Sequence, residues 1–183
     1  MSNRIDRNLA GFTGVGYTRG RGFIHQAVWV AVSNLVFQRW WCPNQLRISL
    51  LRVFGAEIGA DVIIRENVKV HWPWKLRIGQ NSWIGDGAWI LNLEPVTIGR
   101  DVCISQSVLI CTGSHDYKSP TFEFKNRPIV LDDGVWLAAR STVLAGVRIG
   151  ANSVIGATAL VAKDVCEGSL IVAAVGQART IEH

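Results

Sequence analysis

The chain has no run of apolar residues long enough to cross a bilayer. The nearest candidate lies between residues 23 and 41. There Ala27-Val28-Trp29-Val30-Ala31-Val32, Leu35-Val36-Phe37 and Trp40-Trp41 are interrupted by His25, Gln26, Ser33 and Asn34. A spanning helix needs roughly 20 predominantly apolar positions, so a buried or interfacial helix is expected instead. Its late start behind a polar stretch argues against a cleaved signal peptide. The four cysteines, at 42, 103, 111 and 166, show no CxxC spacing. No disulfide framework is expected. The expectation is reduced core thiols in a cytoplasmic protein.

Carboxylates are nearly missing from the first third. Residues 1–57 hold seven arginines against Asp6 and Glu57, a net +5, while the remainder balances twelve basic against twelve acidic side chains. A basic, Trp-bearing segment can approach anionic lipid headgroups or an anionic acceptor. Peripheral contact of 1–57 with an anionic inner-membrane surface is therefore an expectation. The segment carries no nucleic-acid-reading motif, and no nucleic-acid partner is expected.

What is present describes a folded chain: 183 residues, 49% hydrophobic and 18% charged, with 18 glycines and 8 tryptophans. Residues 1–21 are polar, rich in Gly and Arg, and read as an extended arm. Pro43 ends the helix over 23–41. Asn44 is placed to cap a second one, whose stripe is Leu46, Ile48, Leu50, Leu51 and Phe54 and whose end is Gly55.

From Ile58 the pattern becomes a six-residue rhythm. An aliphatic residue recurs at 58, 64, 70; 78, 84, 90; 98, 104, 110; 131, 137, 143; and 149, 155, 161, and all fifteen are Ile, Leu or Val. Four residues after each stands Val, Ser or Ala, except at Trp74 and Glu94, which precede two-residue slips in phase. Neither a helix period of 3.6 nor a strand period of 2 sustains this. Short flat strands joined by tight corners do, wound into a triangular prism with three hexads per coil. The expected organisation is an arm and helices over 1–57, capping an all-β solenoid over 58–183.

Tandem [LIV]-[GAED]-x-x-[STAV]-x hexads of this kind resemble the hexapeptide-repeat acyltransferases. That resemblance implies a left-handed parallel β-helix. Gly113-Ser114-His115-Asp116-Tyr117, with Arg127-Pro128-Ile129 and Val135-Trp136-Leu137, is most similar to the sugar O-acetyltransferases of exopolysaccharide gene clusters. Galactoside and maltose acetyltransferases are more distant.

The rhythm stops at His115 and resumes at Leu131, leaving a loop over 116–130 that the prism does not need. Long loops thrown from a rigid scaffold usually bind something. His115 is the last residue of its hexad, so it is expected at a corner, facing out. An imidazole titrating near neutrality suits removal of a hydroxyl proton. The family resemblance gives His115 the role of general base and implies acetyl-CoA as co-substrate, no metal, a sugar or saccharide acceptor, and a homotrimer.

The same resemblance carries Asn92, Asp116 and Tyr117 to the acceptor side. A backbone carbonyl is a better expected partner for the imidazole than Asp116, its neighbour in sequence. By the same resemblance Trp136, Ala139, Ala157, Ala162, Lys163 and Arg179 line the coenzyme groove. The final Gly176-Gln177-Ala178-Arg179 departs from the family's ending in lacking a proline.

Other readings explain less. A carbonic anhydrase on the same prism needs three histidine ligands, and only His71 and His115 lie in the repeat. Fifty-seven residues cannot form a nucleotidyltransferase domain. A non-catalytic scaffold leaves the histidine and loop unexplained. An acyltransferase for another alcohol or an amine remains as an alternative.

Overall fold

The computed structural model describes residues 6–174. Its body is a solenoid of about six turns built from sixteen short strands in three parallel sheets. The first sheet stacks Glu57–Ile58, Leu76–Ile78, Val96–Ile98, Ile129–Leu131 and Arg148–Ile149. The second stacks Ile63–Ile64, Trp83–Ile84, Cys103–Ile104, Trp136–Leu137, Val154–Ile155 and Leu170–Ile171. The third stacks Lys69–Val70, Trp89–Leu91, Leu109–Cys111, Thr142–Leu144 and Leu160–Val161.

The register is the one the hexads predict. Ile58, Ile78, Ile98, Leu131 and Ile149 stand one above another, as do Ile64, Ile84, Ile104, Leu137 and Ile155 in the second sheet. Each residue of these columns is buried. The core is therefore a stack of aliphatic layers, each contacting only its neighbours one coil up and down.

Corner chemistry explains the rest of the hexad. The third residue after the inward aliphatic turns into the left-handed region: Asp61, Asn67, Asn81, Asp101, Ser107, Arg140, Asn152 and Thr158 have φ of 55–61°, and Gly87, Gly134 and Gly146 share the positive sign. Short polar side chains tolerate that region best. The glycine directly after the aliphatic answers a different need. A Cβ on Gly79 would lie 2.5 Å from the Gly99 carbonyl carbon of the next coil, so the corners can stack only without a side chain there.

The edge running from the third sheet back to the first breaks this rule at every corner but the one after Val143, where Gly146 keeps it. After Val70, Ile90, Ile110 and Val161 no residue at the third step is left-handed. Instead a 3-10 turn, Pro73–Lys75, follows Val70, Pro95 follows Ile90, and the 116–130 loop follows Ile110. The two-residue slips add a buried row, Leu76 over Val96 over Ile129. The six-residue count passes over these three residues.

Two helices close the N-terminal end. Helix α1, Phe23–Val32, continues into a π-helical turn, Ser33–Phe37. Helix α2 spans Asn44–Val53 and ends at Gly55, φ +95°. The first coil leaves backbone groups with no coil beneath them, and side chains of this cap reach them on all three sheets. Arg52 donates to Ile58 O at 2.8 Å. Asn44 donates to Val62 O and accepts from Ile64 N–H at 2.8 Å. Trp29 Nε1 donates to Val70 O at 3.1 Å.

Three expectations change here. Asn44 does not cap its own helix, which starts with no side-chain cap; its amide closes the sheet edge instead. Leu46 is exposed and Arg47 takes the buried place in α2, because its guanidinium donates to the carbonyls of Phe37 and Arg39 at 3.0 and 2.6 Å. The cysteines are free, but only Cys42 is buried; Cys103 and Cys111 are half-buried and Cys166 is exposed. Each of those three stands outside the inward columns.

A cavity in the middle of such a ladder leaves both neighbouring layers without contacts. Ile104→Ala should lower the free energy of unfolding by about 2–5 kcal/mol, measured by urea denaturation. A loss below about 1 kcal/mol would contradict the stacking.

Candidate active site

His115 lies on the irregular edge, in the third coil. Thr112, three residues before it, is buried and ties the edge to the coil below: its Oγ1 accepts from Glu94 N–H at 2.9 Å and donates to Leu91 O at 3.1 Å. From Ser114 the chain leaves the prism and folds back on itself. Asp116 N–H donates to Glu123 O and Lys125 N–H to Ser114 O, both at 2.8 Å, with His115 bridged to Phe124 in antiparallel fashion. The loop is thus a short returning ribbon with His115 in one arm.

The imidazole is enclosed more than a bare corner would enclose it. Phe122 stacks on it at 4.2 Å between centroids and 8° between planes, and Phe124 lies at 5.0 Å and 24°. Phe12 of the N-terminal arm approaches to 6.1 Å. Nδ1 is 2.7 Å from Phe122 O. A carbonyl only accepts, so Nδ1 carries the hydrogen and Nε2 is the basic nitrogen. Nε2 has no hydrogen-bond partner among the described residues. Phe122 holds this arrangement from a left-handed backbone, φ 57°, a conformation unusual for a bulky side chain and one that tends to mark functional sites.

The arm that reads as an extended tail in the sequence is docked along this edge. Arg7 lies over the Phe122 ring at 4.5 Å and donates to Tyr117 O at 3.1 Å. Glu123 gathers the arm: Oε1 accepts from Thr13 N–H at 2.9 Å and from Thr13 Oγ1 at 3.1 Å, and Oε2 from Val15 N–H at 3.1 Å. Those bonds, the Thr13 N–H foremost, hold the Glu123 carboxyl below the usual carboxylate range. Farther along, Tyr17 packs on Phe124 at 5.1 Å and accepts from Trp72 Nε1 at 2.6 Å. Arm, loop and two lower corners form one wall around His115.

The other expected residues divide. Asn92, expected at the substrate, is fully buried; its amide accepts from Trp72 N–H at 2.9 Å and donates to Trp72 O at 2.6 Å. It serves as a peptide-like link between two coils, because the slip after Val70 leaves the Trp72 peptide without a ladder partner. Asp116 makes a turn to Lys118 N–H at 3.0 Å and does not bond the imidazole. Tyr117 is exposed, its ring beside Lys118.

Ala139 and Ala157 lie one coil apart on the edge between the second and third sheets, and Trp136 projects from the second sheet with Nε1 on Ser105 Oγ at 3.0 Å. Ala162 and Lys163 are exposed on the edge that carries His115. Arg179 lies outside the described residues. A single protomer therefore holds the expected residues on two different edges. The arm residues Phe12, Thr13 and Tyr17 and the loop residues Phe122, Glu123 and Phe124 escape sequence reasoning, since no periodicity links segments 110 positions apart.

The Glu123 clamp is strongest while the carboxyl is ionised, since a carboxylate accepts more strongly than the neutral acid. Its folded pKa is lowered, so the clamp's contribution is present above the ordinary carboxylate pKa and is lost as pH falls through the folded value. In Glu123→Gln, amide hydrogen exchange at Thr13 and Val15 should accelerate at least about fivefold, with ladder amides unchanged. Equal rates in the variant and the wild type would refute the clamp.

The family model for bacterial transferase hexapeptide, six repeats, matches residues 128–163. A protein of Escherichia coli (strain K12) named for colanic acid biosynthesis as an acetyltransferase, WcaF, is 40% identical over 171 residues, covering 89% of this chain and 93% of its own. Galactoside O-acetyltransferase of Escherichia coli (strain K12) is 30% identical over 122 residues, 65% of this chain and 60% of that one. The hexapeptide-repeat acetyltransferase VCA0836 of Vibrio cholerae, solved with acetyl coenzyme A, superposes with a TM-score of 0.71 at 27% identity, covering 79% of each chain. With 40% identity across nearly the whole length of both chains, the chain belongs to the hexapeptide-repeat acetyltransferases and is an acyltransferase.

Proposed function

We propose that the protein transfers an acetyl group from acetyl-CoA to a hydroxyl of a saccharide in exopolysaccharide biosynthesis, with His115 as general base. The observation that carries this is the tautomer. Nδ1–H is committed to Phe122 O, and Nε2 is left basic and unpaired inside an aromatic wall. In the step, the acceptor oxygen attacks the thioester carbon while its proton moves to Nε2. The tetrahedral intermediate collapses, the C–S bond breaks, and the departing thiolate takes the proton from the imidazolium. Aromatic rings around the base suit the apolar faces of a sugar, and the assignment of the E. coli relative to colanic acid supports a saccharide acceptor.

The groups that suit coenzyme A are on the other edge. The N–H groups of Ala139 and Ala157 have no hydrogen-bond partner among the described residues, and they repeat at the coil spacing of roughly 4.8 Å. Small side chains there leave the backbone open to an extended amide chain such as pantetheine. Lys163 is the exception: standing on the edge that carries His115, it supplies a charge for phosphate. A thioester held along this edge meets a base only when another copy presents its His115 edge, and this favours a homotrimer of prisms packed flank to flank, with each site shared by two copies.

Thiol release from acetyl-CoA across a panel of saccharide acceptors tests the chemistry. His115→Ala should lower kcat at least about 100-fold with the fold retained; turnover near wild-type would refute the base. Sharing is tested by mixing. Ala139→Arg and His115→Ala should each be inactive alone and regain activity once refolded together. No recovery in mixed oligomers would refute the shared site.

A further inference from the structure

Helix α1 is apolar outward as well as inward. From Phe23 through Phe37 there is no charged side chain. The side packed against the protein carries Gln26 and Ser33 beside Trp29 and Phe37, all buried. The outward side carries Phe23 and Ile24, each 77% exposed, with Val28, Val30 and Leu35, and exposed Ala27 and Ala31 between them. A helix on the surface of a soluble protein normally turns a polar face outward. The inward polarity has a local cause: Gln26 bonds Arg21 O, and Ser33 Oγ accepts from Gln38 Nε2 at 3.1 Å. Nothing in the protomer accounts for the apolar outer face.

The surroundings of that face say what covers it. Trp40 and Trp41 follow the helix, 83% and 51% exposed. Between residues 7 and 56 there are six arginines and no carboxylate. Arg21 precedes α1 and Arg39 follows its π-helical turn; both are exposed, and neither makes an ion pair among the described residues. No described helix is long and apolar enough to cross a membrane. Ten helical residues span roughly 15 Å, enough to lie along an interface.

We propose that the outer face of α1 and the Trp40–Trp41 turn form a docking surface for an anionic lipid bilayer. Phe23, Ile24, Val28 and Leu35 would enter the acyl boundary, the tryptophans would sit at headgroup depth, and Arg21 and Arg39 would meet lipid phosphates. A second copy is the weaker occupant. Self-pairing through this face would set one arginine-rich segment against another, with no carboxylate from residue 7 to residue 56 to relieve it. The surface is independent of acetyl transfer, and it would hold the N-terminal end of the solenoid on the membrane with the His115 edge standing above it.

The test uses the full chain and vesicles of phosphatidylcholine with or without phosphatidylglycerol. Sedimentation at low salt should pull the protein down with the anionic vesicles and far less with the neutral ones, with a blue-shifted tryptophan emission. The double variant Ile24→Asp/Leu35→Asp should weaken binding at least about tenfold while circular dichroism and thiol release with a soluble acceptor stay unchanged. Protein left in the supernatant with anionic vesicles, or unchanged binding in the variant, overturns the proposal. So does light scattering that shows the variant reducing the size of the wild-type oligomer, which assigns the face to a second copy. Because acetyl transfer is read separately, a failure of docking is distinguishable from a failure of the chemistry.

Discussion

Coil-on-coil stacking is the constraint that everything else obeys. Every strand is two or three residues long and too short to stand alone. Each gives its backbone bonds to neighbouring coils and its inward side chains to columns of equivalents. A structure of this kind is rigid along its axis but open at its ends, where backbone groups have nothing to meet. The N-terminal cap answers with long polar side chains, Arg47, Arg52, Asn44 and the Trp29 indole, aimed inward at the first coil. Part of the inner surface of the cap is therefore polar.

The three edges of the prism are not equivalent, and the candidate base stands on the irregular one. Two edges repeat the left-handed corner with little variation. The third keeps it at Gly146 and elsewhere replaces it with a 3-10 turn, a proline corner and a loop. Irregular backbone needs partners outside the ladder, and it finds them in polar links: the buried Asn92 amide on Trp72, the Thr112 hydroxyl on Glu94 and Leu91, and the Lys75 ammonium on Thr18. These links make the irregular edge stiff enough to carry a strained residue, Phe122, whose carbonyl selects the tautomer of His115.

The frame was legible because a solenoid repeats locally. Fifteen aliphatic positions at a fixed step predict the columns, their register and the interrupted coil, and the position of His115 follows from counting. The count fails where the period changes. Leu76, Val96 and Ile129 form an inward row that a strict six-residue step passes over. Asn92 also carries no local signal of its role, since a turn amide and a buried inter-coil link have the same sequence appearance.

The sequence by itself determined the prism, the third coil as the site of the break, and histidine as the candidate base. These depend on near-neighbour repetition, which a linear pattern records. Only the tertiary structure decided what encloses that base. Phe12, Thr13 and Tyr17 reach His115, Glu123 and Phe124 across more than a hundred residues, through single contacts with no period. The outward turn of α1 was decided the same way. The sequence does not record that Trp29 and Phe37 face the core while Phe23, Ile24, Val28 and Leu35 face out.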